Sequence, residues 1–193
     1  TSTGITITGG NTLSSFSNIA QANTYLAATV KTLDASTFGG ALTVGVADDS
    51  FDDTVTITGG SSTKDTITAN YETGSTTYKG KSVGVETLKL ESDGDAVVFD
   101  LSNTTGVTLV EAILQDTDDL TIDKMTAGQS VKLTTAVTTT SAGYVEAKLA
   151  DATGSADTMT FELKAPSGVG DIDDGALLKT TDIETVTVKI SSY

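Results

Sequence analysis

The chain has 193 residues with no Cys, His or Trp, and its 11 basic residues stand against 26 acidic ones for a net charge of −15. Without thiol or imidazole there is no disulfide framework, no Ser-His-Asp or Cys-His catalytic pair and no zinc–water site. All the basic residues are Lys, and so acidic a balance argues against nucleic acid and anionic membrane surfaces as partners and for hard divalent cations as counter-partners, while no apolar run approaches the length needed for membrane insertion.

The first element is a strand, Ile5–Thr8, closed by Gly9-Gly10. It starts without an initiator Met, as in a segment taken from a longer protein. From Phe16 to Val30 the spacing changes: Phe16, Ile19, Asn23, Leu26, Ala27 and Val30 fall at three- and four-residue steps, an apolar stripe apart from Asn23, with Ser14 or Ser15 placed to cap. This predicts one short helix near residues 15–31. Beyond it, apolar residues alternate with Thr or charge over Leu42–Val46, Thr54–Thr58, Thr66–Thr68, Leu88–Leu90, Val131–Leu133, Thr158–Leu163 and Val186–Ile190. That period of two, rich in Val, Ile and Thr, is the strand signal. Gly and Asp clusters punctuate it, and Gly59-Gly60 reads as a turn needing positive φ. With a hydrophobic share of 37% the chain is not of disordered composition. The expected fold is all-β, either a β-solenoid (β-helix-like) or tandem small β-domains.

Segments recur at a spacing of about 90 residues. Leu33–Val44 aligns with Ile122–Leu133, Lys64–Thr68 with Ala156–Thr160, and Val85–Leu90 with Ile183–Val188. The expected organisation is therefore the end of a preceding repeat with the short helix at 1–31, a first β-repeat unit at 32–120 and a second, truncated β-repeat unit at 121–193. Within these units Asp53-Thr54, Asp65-Thr66 and Asp157-Thr158 each open an alternating strand, where the Asp can bond the backbone of its own turn.

The acidic turns are the candidate chemistry. Asp48, Asp49, Asp52 and Asp53 surround Ser50-Phe51, and Asp65 follows one strand later after Gly59-Gly60. Calcium takes six to eight oxygens from side chains and turn carbonyls, so these five Asp are the candidate metal ligands and calcium the candidate cofactor. The alternative is a set of solvated turns that confer solubility. Paired carboxylates could also serve glycoside hydrolysis, but no pair is singled out and aromatic platforms are few, so the chain is not expected to be an enzyme.

The run Leu149-Ala150-Asp151-Ala152-Thr153-Gly154-Ser155-Ala156-Asp157-Thr158-Met159-Thr160-Phe161, followed by Asp182-Ile183-Glu184-Thr185-Val186, resembles the repeat unit of RTX-type S-layer proteins of Gram-negative bacteria. Gly84-Val85-Glu86-Thr87-Leu88 and Leu33-Asp34-Ala35-Ser36 match the same unit. The resemblance implies a type I-secreted, extracellular structural protein that self-assembles into a two-dimensional lattice at the cell surface. It also implies assistance from calcium and attachment to lipopolysaccharide through other parts of the full-length protein. The alternative it implies is an RTX adhesin domain gripping a glycan or host-surface ligand. Intact G-G-x-G-x-D nonapeptides are absent: Ser61 and Thr63 stand where two of the glycines would be.

Overall fold

The computed structural model describes residues 4–6, 25–74, 76–93, 96–114, 118–135, 143–164 and 177–191. The chain winds as a parallel β-solenoid of about six turns. Its strands are β1 (Gly4–Thr6), β2 (Tyr25–Leu26), β3 (Thr32–Asp34), β4 (Thr43–Val46), β5 (Thr56–Thr58) and β6 (Thr66–Tyr71). There follow β7 (Thr77–Tyr78), β8 (Lys81–Val83), β9 (Thr87–Ser92), β10 (Val97–Asp100), β11 (Thr104–Thr105) and β12 (Leu109–Leu114). The last are β13 (Leu120–Met125), β14 (Ser130–Thr135), β15 (Tyr144–Leu149), β16 (Thr158–Lys164), β17 (Leu177–Thr180) and β18 (Thr185–Ser191).

Three sheets run along the solenoid. A first sheet has the order β1-β3-β5-β8-β11, a long sheet β2-β4-β6-β9-β12-β14-β16-β18, and a third β7-β10-β13-β15-β17. Every pairing among the described residues is parallel. In the long sheet Thr66 faces Thr87, which faces Leu109, which faces Ser130, so one turn takes about 21 or 22 residues. The later turns lengthen to about 27–30 residues, Ser130 facing Thr160 and Thr158 facing Thr185.

The spacing of about 90 residues thus corresponds to four turns. Leu42–Val44 and Val131–Leu133, Asp65–Thr68 and Asp157–Thr160, and Thr87–Leu90 and Thr185–Val188 each lie four strands apart in the long sheet. The exception is Leu33-Asp34, on β3 of the first sheet, whose sequence match Ile122-Asp123 lies on β13 of the third.

Alternation along each strand becomes columns along the axis. One inward column of the long sheet reads Val44, Ile67, Leu88, Val110, Val131, Phe161; the next reads Val46, Ala69, Leu90, Ala112, Leu133, Leu163. Val97, Leu120 and Val145 form a column in the third sheet. Nearly all these side chains are buried, Leu163 partly so, and each contributes up to about 1.5–3 kcal/mol of transfer free energy. Tyr71 lies 4.1 Å from Tyr78 and 5.9 Å from Phe99, ring centre to ring centre, and is fully buried in the interior.

The expected helix is corrected where it can be seen. Residues 15–24 lie outside the described residues, but Tyr25–Leu26 is a strand paired with β4, and Val30 N–H closes a turn onto Ala27 C=O at 2.8 Å. Leu26 and Val30 are both buried. A strand followed by a corner brings residues four apart to the same interior, so the spacing that suggested a helical stripe is met by a solenoid bend. Among the described residues no helix is long and apolar enough to cross a membrane.

Gly59-Gly60 is required for a different reason from the one its sequence suggests. Neither residue has positive φ. Instead a Cβ on Gly59 would overlap the carbonyl oxygen of Gly84 on the next turn and come within 2.6 Å of the Asp65 carboxylate, and one on Gly60 would overlap the carbonyl of Phe38 on the preceding turn. Two turns approach backbone to backbone here. Gly60→Ala is expected to lower stability by about 2 kcal/mol or more in urea unfolding. Gly84→Asn, at φ 63° with open space around it, is expected to cost less than about 1 kcal/mol; equal costs at the two positions would contradict the close approach.

Candidate functional site

The acidic loop Asp48–Asp53 is the corner between β4 and β5, and its fixed point is apolar. Phe51 is wholly buried and stacks on Phe99 with ring centres 5.7 Å apart. With Phe51 turned inward, the flanking carboxylates are thrown outward in different directions. Asp49 adopts φ 55°, a left-handed conformation that Asp tolerates better than most residues. Its Oδ1 accepts from the backbone of Glu72 at 3.0 Å and Thr73 at 3.2 Å and from the Tyr78 hydroxyl at 2.6 Å; Oδ2 accepts from the Thr73 hydroxyl at 2.6 Å. Burial works to raise its pKa, but the bonds from Thr73, Tyr78 and Glu72 outweigh burial and hold it below the usual carboxylate value. Tyr78 is pushed up to about 12, chiefly by burial and then by that same carboxylate.

The neighbouring acids have other tasks. Asp52 Oδ1 takes the Thr54 N–H at 2.9 Å and its hydroxyl at 2.5 Å, a local turn of the Asx type. Exposed Asp48 accepts from the Asn70 amide at 3.3 Å, and Asp53 is exposed at the tip. Asp48 is also the main reason that the Glu72 carboxyl is raised; slight burial and then Asp93 and Asp49 add to it. Successive turns therefore stack like charges on this corner. Among the described residues no three carboxylates gather in metal-binding geometry.

Asp65, the fifth candidate ligand, is separate from the loop and fully buried. Its Oδ1 accepts the Leu42 N–H at 2.8 Å and its Oδ2 the Gly60 N–H at 2.7 Å, so one carboxylate ties its own corner to the preceding turn. Its backbone N–H donates to Glu86 Oε2 at 2.9 Å, while its carbonyl accepts from Glu86 and Thr87 at 3.2 and 3.0 Å. Asp-Thr and Glu-Thr are thus stacked on adjacent turns as a clamp. The clamp recurs where Asp157 N–H meets Glu184 Oε2 at 2.9 Å and Thr185 N–H meets the Asp157 carbonyl at 3.0 Å. There the carboxylate stands differently: Asp157 Oδ2 is a buried oxygen without a hydrogen-bond partner among the described residues. It lines a cavity of about 390 Å³ with Met125, Thr126, Asp151 and Gly154.

On the outer face of the long sheet a feature emerges that the sequence analysis did not pick out. Lys89, Glu111, Lys132, Glu162 and Lys189 are in register on five consecutive strands, alternating in sign. Glu111 sits 3.5 Å from Lys89 and 2.9 Å from Lys132, and Glu162 sits 3.7 Å from Lys189. Glu111 is largely buried; that burial raises its pKa, but Lys132, Thr134 and Lys89 together hold it below the ordinary value. These residues stand about 21–30 positions apart, so their relation is invisible until the turn length is known. At the end of the ladder lies β18, whose Val186, Val188 and Ile190 are exposed.

Compared with known proteins, the chain matches no family model, and no curated protein or solved structure resembles it significantly.

Two expectations test this arrangement. Asp65→Asn places an amide nitrogen against one of two buried backbone N–H donors and should cost about 2–4 kcal/mol in chemical unfolding. Asp157→Asn removes no hydrogen bond at the buried Oδ2 and should change stability by less than about 1 kcal/mol. The pH dependence has a defined sign. Asp49 and Glu111 are lowered in the fold, so their contribution is present above the ordinary carboxylate range and is lost as pH falls through their folded values. Glu72 is raised and works the other way, its repulsion relieved on acidification. The melting temperature should fall steeply only below about pH 4, and Asp49→Asn, which keeps the left-handed backbone accessible, should flatten that fall.

Proposed function

We propose that this chain is a structural segment of a bacterial surface layer, lying outside the cell and tiling with copies of itself into a two-dimensional lattice. The observation that carries the reading is the long sheet: eight parallel strands hold one register from end to end of the described solenoid. Such a body is an elongated stack of parallel turns, a form that suits a lattice component better than a site enclosing a small substrate. The stacked Asp-Thr and Glu-Thr clamp supports it as well, because these are the residues on which the resemblance to RTX-type S-layer proteins rests.

Calcium belongs to the proposal as an aid to assembly. Its support is the net charge of −15 and the like-charged corner formed by Asp48, Glu72 and Asp93, whose repulsion a divalent cation would lower. Attachment to lipopolysaccharide is assigned to other parts of the full-length protein.

The test is electron microscopy of the full-length protein with millimolar calcium and with chelator. Ordered sheets are expected with calcium, and persistent monomers under both conditions would overturn the lattice. In parallel, calcium should raise the melting midpoint of this chain by a few degrees by binding the native state. An unmoved midpoint would remove calcium from the proposal for this segment.

A further inference from the structure

The outer face of the long sheet is the broadest regular surface among the described residues. Strands β6, β9, β12 and β14 are six residues long, and from β6 to β16 they pair without a bulge. The strands of the first sheet have only two or three residues, and the third sheet slips register between Ile122 and Met125. The principal neighbours of β12 among the described elements are β9 and β14, both within its own sheet.

The charged column on this face has a symmetry of its own. Lys89, Glu111, Lys132 and Glu162 alternate in sign on four successive strands, with side chains 40%, 11%, 22% and 40% exposed. Read in reverse the signs invert, so the column is complementary to a reversed copy of itself. Consider a second chain turned over about a two-fold axis that runs along the strands between β12 and β14. Glu111 then faces Lys132 of the second copy, and Lys89 faces Glu162 of the second copy, each pair occurring twice. A two-fold along the solenoid axis sets every charge against itself and is repelled.

We propose that the outer face of the long sheet docks a second copy of this chain, face to face, with the two solenoids running in opposite directions. Leu109 and Ile113, the outward apolar residues on either side of Glu111, are half-buried and lie beside the axis. Apolar contact thus falls at the centre and charge extends towards the rim, as in other interfaces between like chains. Packed sheets stand about 10 Å apart, within reach of Lys and Glu side chains from both sides. Each charge keeps its partner in its own sheet and gains one across the interface, and such a network outweighs isolated surface pairs. The inference deepens the surface-layer proposal, and it rests on that proposal for the choice of a second copy as occupant.

Sedimentation of the whole chain should show a monomer–dimer equilibrium that weakens as salt rises, because these charges are partly exposed and screened. Lys89→Glu and Glu162→Lys each set like charges opposite one another in the docked pair, and each should raise the dissociation constant about tenfold. Combining them should restore association, although within one chain the two changes only add like-charged neighbours at Glu111 and Lys132. A ladder that is merely solvated gives no such rescue. The chain has no Cys, so Thr87→Cys and Thr160→Cys supply unique handles on the strands of Lys89 and Glu162. A mixture of these two variants should be joined across chains by a short bis-maleimide, and Thr87→Cys alone should not. That readout holds even where circular dichroism shows that a charge reversal disturbs the fold. A chain that stays monomeric, a double variant no better than the single ones, or Thr87→Cys joined to itself would overturn the inference. If full-length protein carrying Lys89→Glu forms sheets as readily as its parent, this face is excluded and the lattice stands. If the chain dimerises through this face but the full-length protein forms no sheets, the lattice falls and the face stands.

Discussion

Parallel stacking in register is the constraint on which everything else in this molecule depends. Once one turn lies directly on another, each side chain has two nearest neighbours fixed by the turn length, one above and one below. An inward Val meets an Ile or a Leu, and an outward Lys meets a Glu. A change at one position is therefore felt mainly along its own column. Val131 contacts Phe161 and Val110 across its ladder, for example, while the next column independently runs Ala112, Leu133, Leu163. Sheet propensity, burial and charge pairing all act through these columns and not through sequence neighbours.

The carboxylates take their meaning from the same stacking. Parallel strands leave corners where the backbone turns sharply and its N–H groups lose their ladder partners, and a buried N–H left unpaired costs on the order of 1–3 kcal/mol. Asp65 and Asp49 answer that need: each reaches an adjacent turn and collects backbone donors. An acidic composition thus divides into two populations. Some acids are structural acceptors with their oxygens occupied, and others, such as Asp48 and Glu72, crowd a solvent-facing corner and repel one another. Only the second population has capacity to spare for cations.

Asp157 shows how the arrangement loosens along the axis. It repeats the Glu-to-backbone half of the Asp65 clamp but not the carboxylate half, and a cavity opens beside it. The later turns are also longer. The charge ladder continues unbroken through this region because it depends only on strand register. Register is kept by the inward columns even where the corners differ.

Much of the fold is legible in the residues themselves. Alternation of Val, Ile and Thr specified strands, and the recurrence of Asp-Thr and Glu-Thr specified repetition, because both are local patterns with a direct physical meaning: one face buried, one turn capped. The true period was hidden, since adjacent turns share chemistry but little sequence, and only turns four apart happened to look alike. The same limit applies to the acidic loop. Its carboxylates were plain to see, but whether they converge on a point depends on where Phe51 turns inward and on which N–H groups arrive from other turns. Likewise β18 is legible as an alternating strand, whereas the residues that its Lys189 and its Val188 meet on β16 are properties of the stack. Local alternation chose the kind of structure; the distances between turns, which no stretch of sequence contains, decided which residues meet.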